Sequence, residues 1–154
     1  MPSILDMPFI ANVVEGDMRT TAASATPQPE HRSTSRSTIL IVDDEQCVRQ
    51  ITAKLLEDAG YRVLVATSGK DAIVTAQEHI GPIRLLLCDV VMWRDNCREI
   101  ARQLTSVRPT MKVLYMSGYV GHATESVLTP DCHFLAKPFS QNELLVKIQT
   151  VLDS

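Results

Sequence analysis

The chain has 154 residues, of which 45% are hydrophobic and 21% are charged. This length and composition suit one globular core and exclude a wholly disordered protein. The formal net charge is -3, which gives no general electrostatic reason to bind nucleic acid or an anionic membrane, because both require clustered Lys and Arg. Composition therefore favours a protein partner or a small phosphorylated donor.

The cysteines and histidines form no metal-binding pattern. None belongs to a CxxC pair or shows zinc-ligand spacing. They are Cys47, Cys88, Cys97, Cys132, His31, His79, His122 and His133. Because no signal peptide or long apolar run indicates an oxidising compartment, we expect reduced thiols in a cytoplasmic protein, with Cys88 as a small buried hydrophobe.

Residues 1–37 are predicted to be a flexible, disordered extension. Their short apolar patches are interrupted by Asp6, Pro8 and Glu15 and fall far short of the roughly 20 apolar residues that span a bilayer. Residues 20–38 are rich in Thr, Ser, Ala and Pro, which bury too little apolar surface to offset the entropy of ordering. Acidic residues balance the arginines of this segment, so a nucleic-acid-binding arm is not expected.

Residues 38–154 are predicted to form the globular domain. Five apolar runs of strand length lie in this region, and most are apolar on both faces, as buried parallel strands are. They are Thr38–Val42, Arg62–Ala66, Arg84–Cys88, Lys112–Met116 and Cys132–Ala136.

Segments with helical periodicity lie between and after these runs. They are Val48–Leu55 before Gly60, Ala72–Ala76 before Gly81, Arg98–Ser106 before Pro109, a short helix after Gly121, and a last helix from Ser140 to the end of the chain. Ser140 and Glu143 form a capping box at the start of that last helix. No output domain is expected after it.

Strands that alternate with helices predict an α/β fold, a five-stranded doubly wound parallel sheet with helices on both faces. Connections between parallel strands are right-handed, and ligands of such sheets bind at the carboxyl ends of the strands near the topological switch point. Functional residues are therefore expected where the strands end.

Acidic, hydroxyl, glycine and basic residues follow four of the five predicted strands. They are Asp43 and Asp44 after the first, Asp89 after the third, Ser117 and Gly118 after the fourth, and Lys137 with Pro138 after the fifth. Because the carboxyl ends of parallel strands meet at one edge of the sheet, we expect these residues to converge.

The three carboxylates predict a magnesium site. Carboxylates gathered in one place repel one another and raise one another's pKa unless a cation lies among them. Hard oxygen ligands in a partly open site suit Mg²⁺, which keeps several of its waters. Asp44 and Asp89 are the expected direct ligands, with Asp43 beside them in the acidic cluster.

The same residues suit phosphoryl transfer to a carboxylate. Such transfer depends mainly on in-line positioning and on neutralising the charge of the equatorial oxygens. Asp89 is the candidate nucleophile, and Lys137 is the candidate neutralising cation. The Ser117 hydroxyl and the Gly118 N–H are candidate donors to the remaining phosphoryl oxygens.

The acidic pair, the single Asp, the Ser and the Lys-Pro together resemble the pattern of the bacterial response-regulator receiver family. The sequence from residue 37 to residue 154 is similar to chemotaxis-regulator-like receivers, whose fold is flavodoxin-like. The segments VLYMSGY and FLAKPF are most like receivers of hybrid sensor histidine kinases. The resemblance implies a phosphoacceptor module of a two-component phosphorelay, with a histidine kinase or phosphotransfer protein as donor and an unspecified protein as downstream partner.

The resemblance also implies roles for single residues. Asp89 accepts the phosphoryl group from phosphohistidine, the carbonyl of Val91 is a further protein ligand to Mg²⁺, and the bond between Lys137 and Pro138 is cis. Phe134 stands where receivers carry an aromatic residue that turns inward when Ser117 closes on the phosphoryl group. Because Phe134 lacks a hydroxyl, it buries without needing a hydrogen-bond partner, which favours the inward state.

This movement implies a change at one face of the domain. The face is formed by the fourth predicted helix, the fifth strand and the last helix. Altered partner binding and a homodimer through that face are the expected outputs.

Two positions depart from the pattern of the family. Trp93 stands where receivers usually have proline, and Cys97 stands where they usually have glycine. The resemblance therefore does not fix the geometry of the loop after Asp89. Trp93 is interpreted either as an anchor for a partner or as a bulky residue that fills an altered loop.

Other classes of function fit the sequence less well. A phosphorylation-independent pseudo-receiver is the main alternative, but no pocket residue is lost here. A small hydrolase with an aspartyl-phosphate intermediate needs a second Asp where Val91 stands, and a cap. A flavin or dinucleotide binder needs a Gly-rich loop where Asp43–Glu45 stands. We therefore expect no enzyme activity beyond self-phosphorylation and self-dephosphorylation.

Overall fold

The structure is a computed structural model of the chain, and it describes residues 36–92, 94–118 and 129–154. Nearly all of the predicted N-terminal extension lies outside the described residues. Trp93 and the helix predicted after Gly121 lie outside them as well.

The described residues form a five-stranded parallel sheet, as the sequence predicts. Its strands are β1 (Thr38–Val42), β2 (Arg62–Ala66), β3 (Leu85–Asp89), β4 (Lys112–Ser117) and β5 (His133–Ala136). Their order in the sheet is β2-β1-β3-β4-β5, which places the topological switch between β1 and β3. The observed bounds lie within one residue of the predicted ones, and the α/β doubly wound fold is confirmed.

Four of the predicted helices are present in the described ranges. They are α1 (Gln46–Asp58), α2 (Gly69–Glu78), α3 (Cys97–Val107) and α4 (Gln141–Leu152), of which α4 is the predicted last helix. The predicted capping box is confirmed, because the Ser140 N–H donates to the Glu143 carboxylate at 2.7 Å and the Glu143 N–H donates to the Ser140 hydroxyl at 3.2 Å. None of these helices is long and apolar enough to cross a bilayer.

The two faces of the sheet carry two separate hydrophobic clusters, because alternate residues of a strand point to opposite faces. Leu40, Leu86 and Cys88 lie in the cluster that includes residues of α2 and α3. Ile41 and Leu87 lie in the cluster that includes residues of α1 and α4. The strands of the sheet centre are therefore buried on both sides, which fixes where their carboxyl ends lie.

The apolar periodicity predicts the position of α1 correctly, and the structure shows which of its residues are buried. The pattern residues Val48, Ile51 and Leu55 lie at or near the surface, and the side chain of Ile51 is 63% exposed. Thr52 and Leu56 are the fully buried residues of this helix. Ile51 thus lies on the outside of α1, while Val48 and Leu55 are half-buried and Leu55 also packs against the second cluster.

Leu104 of α3 tests the packing of the first cluster. It is 1% exposed, so Leu104→Ala is expected to lower the free energy of unfolding by about 2–5 kcal/mol, through lost burial and the cavity that remains. Urea unfolding followed by circular dichroism measures the change.

Val107→Ala on the same helix is the matched control, because Val107 is 66% exposed. Its effect is expected to stay within about 0.5 kcal/mol. Equal losses for the two variants would contradict the burial of Leu104.

Candidate functional site

Three carboxylates meet at the carboxyl edge of the sheet, as the strand ends predict. Strands β1 and β3 are neighbours, with Val42 opposite Cys88, so the residues that follow these positions emerge side by side. One oxygen each of Asp43, Asp44 and Asp89 lies within 4.8 Å of the others. The predicted acidic cluster is therefore present, with Asp44 exposed and the other two residues buried.

Asp43 is the most constrained of the three. It is fully buried, its Oδ1 accepts a hydrogen bond from the Glu45 N–H at 2.9 Å, and its Oδ2 accepts one from Lys137 Nζ at 2.8 Å. Its backbone carbonyl accepts a hydrogen bond from the Arg49 guanidinium at 2.7 Å. Both the side chain and the backbone at this position are therefore held in one orientation.

Asp89 is the last residue of β3 and is 6% exposed. Its Oδ1 accepts a hydrogen bond from the Val91 N–H at 3.1 Å, and its Oδ2 lies 3.3 Å from Lys137 Nζ. Burial raises the pKa of Asp89, the Lys137 charge lowers it and the Asp43 charge raises it, leaving the pKa above its ordinary value. Desolvation and a like charge thus outweigh the cation beside it.

Lys137 is the cation of the site and joins two of the carboxylates. Its backbone N–H donates to the Ser117 carbonyl at 2.8 Å, which ties the end of β5 to the end of β4. Burial lowers the pKa of Lys137, but the hydrogen bond to Asp43 and the charges of Asp89 and Asp43 outweigh it and raise the pKa above the ordinary value. The following peptide bond to Pro138 is cis, as the resemblance implied.

The remaining predicted site residues lie on the same edge. Ser117 ends β4 and is fully buried, opposite Ala136 in the register of β4 and β5. Gly118 follows it and is exposed; a Cβ added there would meet the Cβ of Lys137 at 3.7 Å, an ordinary contact, so the position does not require glycine for space.

Phe134 lies within β5, the strand that leads to Lys137. It stands opposite Tyr115 in the register of β4 and β5, is partly buried and packs against the cluster that contains Tyr115 and Cys88. The role of Phe134 in a switch stays a prediction. The role of the Val91 carbonyl as a ligand to Mg²⁺ stays a prediction as well.

The loop after Asp89 is held by contacts that the sequence did not reveal. Asp95 accepts a hydrogen bond from the Gly69 N–H at 3.0 Å, and Asn96 caps α3 by accepting from the Arg98 and Glu99 N–H groups. A Cβ on Gly69 would lie 2.7 Å from the Ile100 side chain, so a larger residue at this close approach of α2 and α3 would displace that side chain.

Cys97, where the family usually has glycine, points into the core. It is 1% exposed, and its neighbouring thiol, together with burial, raises the pKa of Cys88 well above its ordinary value. Cys88 is fully buried, as predicted, and all four cysteines are free thiols. Cys97 therefore belongs to the hydrophobic cluster that also contains Cys88 and Ile100. In the sequence, the burial of Cys97 is indicated by its helical spacing from the apolar residues Ile100 and Ala101.

The donor set fits a hard divalent cation. The cluster supplies carboxylate oxygens alone, and one ammonium group near three carboxylates leaves negative charge for a further cation to balance. Oxygen ligands in a partly exposed site suit Mg²⁺. Asp43, Asp44 and Asp89 are the residues that would hold it.

The sequence of this region matches a known family. Residues 39–149 match the family model described as the response regulator receiver domain, so the chain belongs to the response regulator receiver domain family. This result confirms the family that the strand-end residues indicated.

Two kinds of relative are similar in sequence to this chain. The chain is 33% identical over 119 residues to the sensor kinase CckA of Brucella abortus (strain 2308), which covers 76% of the chain and only 13% of the kinase. It is 34% identical over 116 residues to the response regulator receiver protein CpdR of the same organism, covering 74% of the chain and 95% of that protein. The match to a sensor kinase agrees with the predicted likeness to kinase-attached receivers.

Solved structures give the same fold. The crystal structure of a CheY-like response regulator receiver domain protein from Methanospirillum hungatei JF-1 superposes with a TM-score of 0.67 at 27% identity. The match covers 76% of this chain and 94% of that one. The similarity thus extends over nearly the whole of a receiver domain.

Asp89→Asn tests whether the buried negative charge of Asp89 destabilises the folded state. Burial is the largest cause of the raised pKa of Asp89, so the folded state favours the protonated carboxyl. The stability linked to this group is fully present below the ordinary Asp pKa of about 3.9 and is lost as the pH rises through the higher pKa of the folded state. An amide does not ionise. We therefore expect the variant to have the higher free energy of unfolding at pH 7 in EDTA, and the gain to shrink as the pH falls.

Urea unfolding of both proteins between pH 4.5 and pH 7.5 measures this difference. Asp131→Asn is the control, because it removes the same charge from an exposed residue. A variant at Asp89 that is no more stable than the wild type at pH 7 would show that Lys137 fully compensates the buried carboxylate.

Proposed function

We propose that the chain is a phosphoacceptor module of a two-component phosphorelay. Asp89 takes a phosphoryl group from a histidine kinase or phosphotransfer protein, and the modified domain changes its binding to a downstream protein. The observation that carries the proposal is the contact of Lys137 with both Asp43 and Asp89, at 2.8 Å and 3.3 Å, within a chain that belongs to the receiver family.

The geometry supports Asp89 as the nucleophile. Its Oδ1 is engaged by the Val91 N–H, while its Oδ2 faces the Lys137 ammonium. In the transfer, a carboxylate oxygen of Asp89 forms a bond to phosphorus as the bond from phosphorus to the donor's histidine nitrogen breaks, and the electron pair stays on nitrogen. Lys137 neutralises charge on the phosphoryl oxygens, and the Ser117 hydroxyl and Gly118 N–H donate to them.

A bound Mg²⁺ belongs to this proposal. Asp43, Asp44 and Asp89 would hold it, and the carbonyl of Val91 would be a further ligand. When bound, the ion neutralises negative charge on the phosphoryl oxygens. Three convergent carboxylates support this assignment, since they require a cation to lie close together in the ionised state.

Partly exposed apolar residues of α1 support a protein as the donor of the phosphoryl group. Val48, Ile51 and Leu55 line a hollow of about 340 Å³ together with Thr52, Gly118, Lys137, Pro138 and Phe139. We call this surface the α1 hollow. Its wall includes Lys137, so a helix seated in the hollow lies next to Asp89. Exposed apolar surface rimmed by polar groups is typical of protein interaction sites.

The proposed output runs through Ser117 and Phe134. Ser117 moves to the phosphoryl group and Phe134 turns further inward, which alters the face formed by β5 and α4. A downstream protein or a second copy of the chain binds there. We propose a cytoplasmic location, which four free thiols support, and no turnover of an external substrate.

Phosphorylation by a small donor is the direct test of this proposal. The wild type, incubated with acetyl phosphate and Mg²⁺, is expected to gain the mass of one phosphoryl group in intact-protein mass spectrometry. Asp89→Asn is expected to gain none, and so is the wild type in EDTA, while the Asp131→Asn control behaves as the wild type. An unmodified wild type would instead favour a phosphorylation-independent binding module.

Ile51→Glu separates donor docking from chemistry. Ile51 is 63% exposed, so the change should not impair folding, but it puts a charge into the α1 hollow. We expect phosphorylation by acetyl phosphate to be unchanged, and transfer from a histidine kinase that phosphorylates the wild type to slow at least about tenfold, since burying an unpaired charge is costly. The transfer is followed with radiolabelled kinase.

Val146→Glu is the matched control, because Val146 is a 57% exposed valine on α4 outside the α1 hollow. Equal slowing in both variants, or none in Ile51→Glu, would contradict docking at this hollow.

A further inference from the structure

A row of basic residues lies at the amino edge of the sheet, opposite the acidic cluster. The Arg62 N–H donates to the Ser37 carbonyl at 3.1 Å, the Arg84 N–H donates to the Thr38 carbonyl at 2.9 Å, and the Lys112 N–H donates to the Arg84 carbonyl at 2.9 Å. The parallel register thus sets Arg62, the start of β1, Arg84 and Lys112 side by side, at a strand spacing of about 4.8 Å.

Part of this row lines an open cavity of about 530 Å³, which we call the amino-edge cavity. Its lining residues are Arg36, Ser37, Thr38, Arg62, His79, Ile80, Gly81, Pro82 and Arg84. Three of them are arginines, and none of these described lining residues is acidic. Such a volume lies within the 300–1,000 Å³ that is typical of small-molecule sites.

The three arginines are not used by the fold. In the part of the chain that the structure describes, the guanidinium groups of Arg36, Arg62 and Arg84 make no ion pair or hydrogen bond. Neighbouring bases differ, because Lys112 donates to the Ser154 carbonyl at 3.0 Å. Among the described residues, three arginines without such a partner therefore line this one cavity.

Backbone carbonyls beside the cavity already accept hydrogen bonds from another residue, so they are not free to bind the cavity arginines. The carboxyl end of α2 presents the carbonyls of Ala76, His79 and Gly81, and all three accept hydrogen bonds from Arg108, at 2.7, 2.9 and 2.7 Å. Arg108 therefore neutralises the negative end of this helix. Within the described residues, the guanidinium groups of the cavity arginines therefore have no acceptor of their own.

We propose that the amino-edge cavity binds a small ligand with at least two phosphate groups, of the size of a nucleoside diphosphate. Planar guanidinium groups bind phosphate oxygens in pairs, and three of them match the charge of a diphosphate better than that of one carboxylate. Ile80, which is 94% exposed, and Pro82 supply apolar surface for the nucleoside.

The concave shape and the chain's net charge of -3 favour such a ligand over a nucleic acid or a membrane, which need a broad basic surface. The site is independent of the phosphoacceptor chemistry at the other edge of the sheet.

Isothermal titration calorimetry with ADP tests the proposal. EDTA is present throughout, so that no divalent cation supports anion binding at the acidic cluster. ADP and inorganic pyrophosphate are expected to bind the wild type, adenosine is expected not to bind, and affinity is expected to fall as the salt concentration rises.

Variants locate the binding. Arg36→Gln, Arg62→Gln and Arg84→Gln are each expected to weaken ADP binding about tenfold or more, as loss of a charged hydrogen bond does. Lys54→Gln is the matched control, because Lys54 is an exposed base that pairs with Asp58 on α1. Asp89→Asn is expected to bind ADP as the wild type does, whatever its phosphorylation result.

Three results would overturn the proposal. These are no heat from either ADP or pyrophosphate, full binding by a variant that combines Arg36→Gln, Arg62→Gln and Arg84→Gln, and equal weakening by Lys54→Gln. Binding of RNA or of anionic vesicles through these arginines without binding of ADP would also overturn it and identify a surface for a macromolecule.

Discussion

The contact of Lys137 with Asp43 and Asp89 is the interaction on which the site depends. The sheet brings buried carboxylates together because β1 and β3 are adjacent, and that proximity is unfavourable without a cation. A single ammonium group, 2.8 Å from one carboxylate and 3.3 Å from the other, makes the arrangement tolerable. Breaking such a buried pair leaves an uncompensated charge. A phosphoryl group on Asp89 would therefore compete for a lysine that already holds two partners, and this competition couples the chemistry to the end of β5.

Much of the fold and the site could be predicted from sequence because a parallel sheet converts strand order into proximity. Apolar runs fixed the five strands to within one residue, and the residues after them had to emerge at one edge. Asp43, Asp89, Ser117 and Lys137 are distant in sequence, yet topology alone predicts their convergence. The burial of single residues of α1 was less clear, because Leu55 and Leu56 are both apolar and only the sheet decides that Leu56 is fully buried and Leu55 half-buried.

The supporting contacts could not be predicted in the same way. Arg49 holds the Asp43 carbonyl, and Asp95 holds the Gly69 N–H across 26 positions of sequence. Cys97 meets Cys88 under the loop. Each contact depends on the rotamer of a long side chain or on the path of a loop, and neither leaves a periodic signal. The contacts of Asp95 and Cys97 lie near the positions where this chain departs from its family, whereas the contact of Arg49 lies at the start of α1.

The separation of charge along the strands has a consequence for how the domain meets other molecules. Carboxylates gather at one edge and unpaired arginines at the other, about 17 Å apart along five-residue strands. Such a molecule is an electric dipole, and the field of an approaching charged surface exerts a torque on it before contact. A cationic partner thus turns the Asp89 end toward itself during diffusion, so that fewer encounters begin with the wrong side forward.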